Sequence, residues 1–407
     1  MTIYFVAGEA SADNHGAALM HSLRKTDDTI QFIGRGGSKM RGLAGERFRN
    51  WIGDAAVLGL WDVIRKYGYF REQFRLTLKE IQKSKPDAVV LIDYPGFNLR
   101  LAHALRRKID ASSVRSAELH SAGSETANRI FAGQTARSGI FQGKIIYYIS
   151  PQVWAWNRGR IKKMARFLDL MLCIFPFEVD LYNKARLRAM FVGHPMLERL
   201  PSERIEVERD PNLIGLFPGS RLPEVRKIFP VMLESAHELR KQNRNAHFEV
   251  AAASEELAAA ISEMLGRCAP DRQVVQIKVG ETAAIMQRAW VGIVASGSAT
   301  LEAAYFRMPF VLIYKIAWPT YLPARLVVSV KYLGMPNVLA EKEIVPEFIQ
   351  HRAKPEPLAK AVSRLIENPS ARDRMISEFD AIIDQLGEGK PSQQAAEAII
   401  EEIGRSI

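Results

Sequence analysis

The chain has 407 residues, of which 47% are hydrophobic and 25% charged, so global disorder and collagen-like repeats are excluded and two domains are the natural expectation. Lys and Arg exceed Asp and Glu by 56 − 45 = 11. That balance favours anionic partners such as phosphates, nucleotides, nucleic acid or acidic membrane, without choosing among them.

Cys173 and Cys268 lie far apart and form no metal-ligand pair, which predicts a reduced, cytoplasmic protein. Met1–Val6 carries no basic segment and its apolar run stops at Gly8, so no signal peptide is expected. No apolar stretch is long enough to cross a bilayer, and Leu170–Phe177 is interrupted by Pro176. Membrane contact, if any, is expected to be peripheral.

In chain order, Ile3–Ala7, Ala88–Ile92 and Ile145–Ile149 read as buried strands. Between them Gly16–Arg24, Trp61–Ile81 and Leu99–Lys108 show helical spacing. Strands separated by helices predict βαβ units and a parallel sheet. The pattern restarts with a strand at Leu213–Leu216 and a helix from about Pro223 to Asn243. Further strands follow at His247–Ala251, Gln276–Val279, Val291–Val294 and Phe310–Tyr314. The fold expected is α/β: two doubly wound Rossmann-like domains, 1–199 and 213–353, joined by a charged linker, 200–212. A helical tail, 354–407, completes the chain. The Ser-, Ala- and Gly-rich stretch Asp110–Gln142 is too long for an ordinary α/β connection and reads as a surface insertion.

In such sheets ligands bind beyond the carboxyl ends of strands, and several motifs fall there. After the first strand comes GEASADNHG (8–16): Gly8 permits a sharp turn, and Ser11 or Asp13 can cap the next helix. An ordinary strand-to-helix turn is an equal reading, and the pattern does not match GxGxxG. In LIDYPGFN (91–98), Asp93 ends a buried strand, where partial desolvation raises basicity, so it is a candidate general base. Spacing alone leans toward the alternative, a turn cap before Pro95.

Gly219, Ser220 and Arg221 open a helix, where free N–H donors and a bidentate guanidinium could grip a diphosphate. Ser296, Gly297, Ser298, Ala299 and Thr300 form a similar turn, with Glu302 one turn on as a partner for ribose hydroxyls. Ser298 as an ordinary N-cap is the plainer alternative. Two anion-cradling turns in one domain tip the balance toward a nucleotide. Trp154 and Trp156 follow a strand end and either line a cleft or pack in the core. Val57–Phe74 carries Leu60, Trp61, Ile64, Tyr67 and Phe70 beside Arg65, Lys66 and Arg71, a composition suited to an anionic membrane interface or to a helix packed on its own sheet. No nucleic-acid module is visible, so no nucleic-acid partner is expected.

Taken in order, GEASADNHG, IGRGGSKM, LIDYPGFNLRLA, YYISPQVWAW, CIFPFE, FVGHP, FPGSR, SGSATLE and MPN with PEFIQ closely resemble lipid-A-disaccharide synthase, a GT-B-type glycosyltransferase family. The resemblance spans roughly Ile3 to Gln350. It implies two domains facing a cleft and an inverting transfer of 2,3-diacylglucosamine from UDP to 2,3-diacylglucosamine 1-phosphate in lipid A biosynthesis. It further implies Asp93 as the base and Glu9 as an aid to acceptor positioning. Arg221 and the 296–300 turn would act on the diphosphate, Glu302 on the ribose, and Asn337 and Gln350 would complete the nucleotide pocket. The family is metal-independent, works at the cytoplasmic face of the inner membrane, and forms homodimers through C-terminal parts. Two departures stand out: Ala12 where the family usually has Gly, and Gly96 where many members have a second Asp. Other UDP-sugar enzymes of this fold, such as an epimerase or the peptidoglycan glycosyltransferase, and a non-catalytic nucleotide-sugar- or lipid-binding protein are the competing readings.

Overall fold

The computed structural model describes residues 1–55, 67–107, 141–156, 159–268, 274–316 and 330–405. The chain divides into two compact units: one comprises Met1–Trp154, Arg158–Pro195 and Gly389–Ile407, the other Ala155–Asn157 and Met196–Glu388.

The first unit holds seven strands: β1 (Thr2–Ala7), β2 (Gln31–Gly36), β3 (Phe48–Asn50), β4 (Ala88–Ile92), β5 (Lys144–Tyr148), β6 (Leu170–Cys173) and β7 (Ala189–Phe191). Their order across the sheet is β3-β2-β1-β4-β5-β6-β7 and every pairing is parallel. Covered on both faces, such strands read as continuous apolar runs; all five residues of Ala88–Ile92 are fully buried. β2, β3, β6 and β7 escape a periodicity search because three or four residues carry too little pattern, or because glycine and arginine interrupt it, as in QFIGRG.

The second unit repeats the plan with β8 (Asp210–Phe217), β9 (His247–Ala252), β10 (Val275–Val279), β11 (Ala289–Ala295), β12 (Phe310–Tyr314) and β13 (Glu347–Ile349) in the order β10-β9-β8-β11-β12-β13. In both sheets the chain winds outward one way from the first strand, then jumps back and winds the other way. The switch points therefore fall between β1 and β4 and between β8 and β11, where two successive loops part and leave room for a ligand.

The expected linker and tail need correction. Residues 200–212 lie on the second unit: Arg209 donates to the carbonyls of Met286, Ala289 and Phe306, and Asp210 already begins β8. The tail is split. Helices Pro355–Glu367 and Pro369–Asp384 pack on the second unit, whereas Pro391–Gly404 returns to the first and lies against helix Ala10–Thr26. Glu402 fixes it there, accepting from Lys144 Nζ at 3.0 Å and Arg188 Nη1 at 2.6 Å. Most of the proposed insertion, residues 110–140, lies outside the described residues.

Candidate active site

In the first unit β1 delivers Gly8 and Glu9, and β4 delivers Asp93 and Tyr94, to the two sides of one switch point. Gly8 is required by close approach rather than by a turn: a Cβ there would lie 2.3 Å from the Tyr94 ring. Asp93 and Tyr94 both take left-handed backbone, with φ of +45° and +52°, an uncommon conformation for side-chain-bearing residues. Burial, reinforced by the neighbouring Glu9 carboxylate, pushes the Asp93 carboxyl up to about 6, against a hydrogen bond from the Tyr94 backbone that favours its ionised form. The same two causes, with Tyr69 adding a third, raise Tyr94 to about 12. Glu9 itself is exposed and stands at the N-cap of Ala10–Thr26 without a side-chain cap bond. A half-desolvated carboxyl near neutrality beside an exposed carboxylate is suited to accepting a proton from a hydroxyl.

Asp13 does not cap its own helix. Its carboxylate accepts from the backbone N–H groups of Gly37 (2.9 Å), Lys39 (3.0 Å) and Met40 (3.1 Å), closing the start of helix Ser38–Ala44. GEASADNHG and IGRGGSKM are thereby one assembly, and Gly37 is glycine because a Cβ would sit 2.4 Å from the Asp13 carboxyl carbon. Arg35 of the second motif is fully buried, held by Glu80 at 2.8 Å and by Gln73. Sequence reasoning had no signal for these partners, which lie at distant positions in the chain.

Trp154 takes the core alternative. It is buried and donates to Glu178 at 2.8 Å, which also accepts from Ser150, so YYISPQVWAW and CIFPFE meet at one carboxylate. The side chain of Trp156 lies outside the described residues. So do residues 60, 61 and 64 of the proposed membrane contact, and the Tyr67 side chain. Phe70 is described, and the structure removes it from that surface: it is 7% exposed and packs with Tyr69 in the core of the first unit.

In the second unit, the Gly219–Arg221 and Ser296–Thr300 turns stand side by side on adjacent strands; an ideal Cβ on Gly219 would be 3.8 Å from Ala295 Cβ. Gly219 and Gly297 need glycine's freedom, with φ of +103° and +152°. Ser220, Gly297 and Ser298 are exposed, and Ser298 makes no cap bond; Thr300 instead donates to the Gly297 carbonyl at 2.8 Å. The Arg221 side chain is 68% exposed, tethered only loosely to Glu224 at 3.4 Å. Glu302 is mostly buried and holds Arg199 at 2.6 Å; burial raises its carboxyl and Arg199 opposes the rise.

Asn337 and Gln350 are corrections. Asn337 is fully buried: its amide donates to Val345 O and Glu347 and accepts from the backbone of Ile344 and Val345. Glu347 in turn accepts from Leu333 and Gly334 at the start of helix Met335–Ala340. Gln350 closes a two-bond ring with the backbone of Ile316. Both amides are spent on the fold, because a buried amide must satisfy its own groups first, and the Glu347 carboxylate is engaged by the same backbone and by Asn337. Asn337→Ala is therefore expected to cost about 2–4 kcal/mol of stability, read as a lowered denaturant midpoint, with the nucleotide-sugar KM of the folded fraction unchanged.

Two doubly wound α/β units, each carrying its polar turns at a switch point, define a protein of the GT-B glycosyltransferase fold. Solved structures agree on the fold: a UDP-GlcNAc 2-epimerase from Neisseria meningitidis bound to UDP-GlcNAc matches at TM-score 0.61 over 98% of this chain and 100% of its own, with 12% identity. The calicheamicin glycosyltransferase matches at TM-score 0.57 over 100% and 97%, again with 12% identity. Residues 3–112 and 129–402 match the model of the lipid-A-disaccharide synthetase family, and the chain belongs to that family. A lipid-A-disaccharide synthase of Geobacter sulfurreducens is 33% identical over 100% of this chain and 98% of its own length. One of Coxiella burnetii is 30% identical over 98% and 97%.

Proposed function

We propose that the protein is an inverting hexosyltransferase of lipid A biosynthesis. It passes 2,3-diacylglucosamine from UDP to the 6-hydroxyl of 2,3-diacylglucosamine 1-phosphate, releasing UDP and a β-1′,6-linked disaccharide 1-phosphate. The observation that carries the reading, beside family membership, is a partly buried carboxyl, Asp93, held on a left-handed turn at the end of β4 with Glu9 as its neighbouring charge, a setting that raises its basicity.

Asp93 accepts the proton of the acceptor hydroxyl as that oxygen attacks the anomeric carbon from the face opposite UDP. Glu9 orients the acceptor and keeps Asp93 basic. Arg221 and the donors of the 296–300 turn offset the charge that grows on the departing diphosphate, and Glu302 holds the ribose after exchanging Arg199 for its hydroxyls. With a guanidinium and backbone donors in that role, the reaction is proposed to need no metal. Among the described residues no helix is long and apolar enough to cross a membrane. The enzyme is proposed to meet its acylated substrates at the cytoplasmic face of the inner membrane, drawn there by the net charge of +11.

The test is incubation of the full chain with both lipid substrates, with UDP release and the anomeric configuration of the product followed together. A β-linked disaccharide formed one-for-one with UDP is expected. An α linkage would overturn the inverting step, and epimerised or untouched UDP-sugar would overturn the transfer itself.

A further inference from the structure

Asp93 and Tyr94 place two consecutive left-handed residues at the end of β4, neither of them glycine. Such a pair persists only where its surroundings leave it no alternative, and two buried side chains supply that constraint. Asn98 Nδ2 lies 2.7 Å from the Asp93 carbonyl oxygen, and Tyr147 Oη donates to the same oxygen at 2.6 Å. Both residues are fully buried. Asn98 Nδ2 also faces the carbonyls of Ile92 (3.2 Å) and Val6 (3.4 Å), so one amide ties the ends of β1 and β4 to Asp93. The arrangement has a cost, because Asn98 Oδ1 is buried with no partner among the described residues.

We infer that Asn98 and Tyr147 are positioning residues for the transfer reaction: by gripping the Asp93 carbonyl they hold the left-handed turn that keeps the Asp93 carboxyl beside Glu9 and shielded from water. The inference rests on the proposed role of Asp93 as base. The polar and titratable groups facing Asp93 are Glu9 after β1, Tyr94 on its own turn, Tyr147 on β5 and Asn98 on helix Pro95–Arg106. Releasing the carbonyl lets the turn relax and the carboxyl hydrate, which returns its titration toward the ordinary aspartate range.

The experiment is the pH profile of kcat and kcat/KM for the full chain carrying Tyr147→Phe, Asn98→Ser, or Tyr182→Phe. Tyr182 is the control, a buried phenol that donates to a different backbone carbonyl, Pro151, at 3.1 Å. Tyr147→Phe keeps the ring that fills the core, so it folds even where Asn98→Ser does not. The expected result is a kcat about tenfold lower, an acid limb displaced to lower pH by about one unit, and KM for both substrates unchanged. Tyr182→Phe is expected to leave the limb in place. A Tyr147→Phe limb and kcat matching the Tyr182→Phe control would overturn the inference. Asp93→Asn measured alongside separates the two levels: full turnover in that variant removes the base, whereas its loss with an unaltered Tyr147→Phe profile removes only the positioning residues.

Discussion

Asp93→Asn is expected to lower kcat by about 10²–10⁴-fold while the protein stays folded. The amide matches the carboxyl in shape, so the turn at the end of β4 survives. Stability should move the other way. The folded carboxyl titrates near 6, above its unfolded value near 3.8, so its ionisation opposes folding increasingly as pH rises between those values. The asparagine variant loses that penalty and should melt no lower than the parent at pH 8. Rate loss with an unchanged or raised melting temperature separates lost chemistry from lost structure. In the parent, kcat/KM should climb with pH through about 6, the form a deprotonated base requires. A variant retaining most of its rate would remove Asp93 from the chemistry.

What the sequence alone conveys here is uneven, and the reasons are physical. Strand-end positions survive translation into space: Ala88–Ile92 is so apolar that its strand and the placing of Asp93 after it are unambiguous, and the two anion-type turns do come together because they follow adjacent strands. Residue type says less about whether a polar group is free. Asn337 and Gln350 have the donors a nucleotide would want, yet the backbone around Val345 and Ile316 takes them first. Asp13 shows the same blindness in reverse, since its three N–H donors come from a helix that starts at Ser38. Phe70 has the composition of a membrane anchor and the burial of a core residue, and only packing tells the two apart.

The largest stability effect is expected at Glu178, where two sequence motifs converge. Its carboxylate accepts from Ser150, from Trp154 at 2.8 Å and from the Phe175 backbone at 3.3 Å, at the start of helix Pro176–Lys184. Truncation to alanine leaves those buried donors without an acceptor and opens a cavity, a loss of about 3–5 kcal/mol, visible as a fall in the denaturant midpoint. Glutamine is a different case. Burial raises the Glu178 carboxyl to about 7, and hydrogen bonds from Ser150, Trp154 and the Phe175 and Ile174 backbone only partly oppose that rise. Because the folded value exceeds the unfolded one near 4.5, the carboxyl favours folding fully only below about 4.5, and that contribution is lost as pH rises through about 7. An amide at the same place carries no charge to desolvate. Unfolding measured at pH 5.5 and at pH 8.5 should therefore show Glu178→Gln gaining on the parent at the higher pH, and a difference independent of pH would mean that Glu178 is solvated in the folded protein.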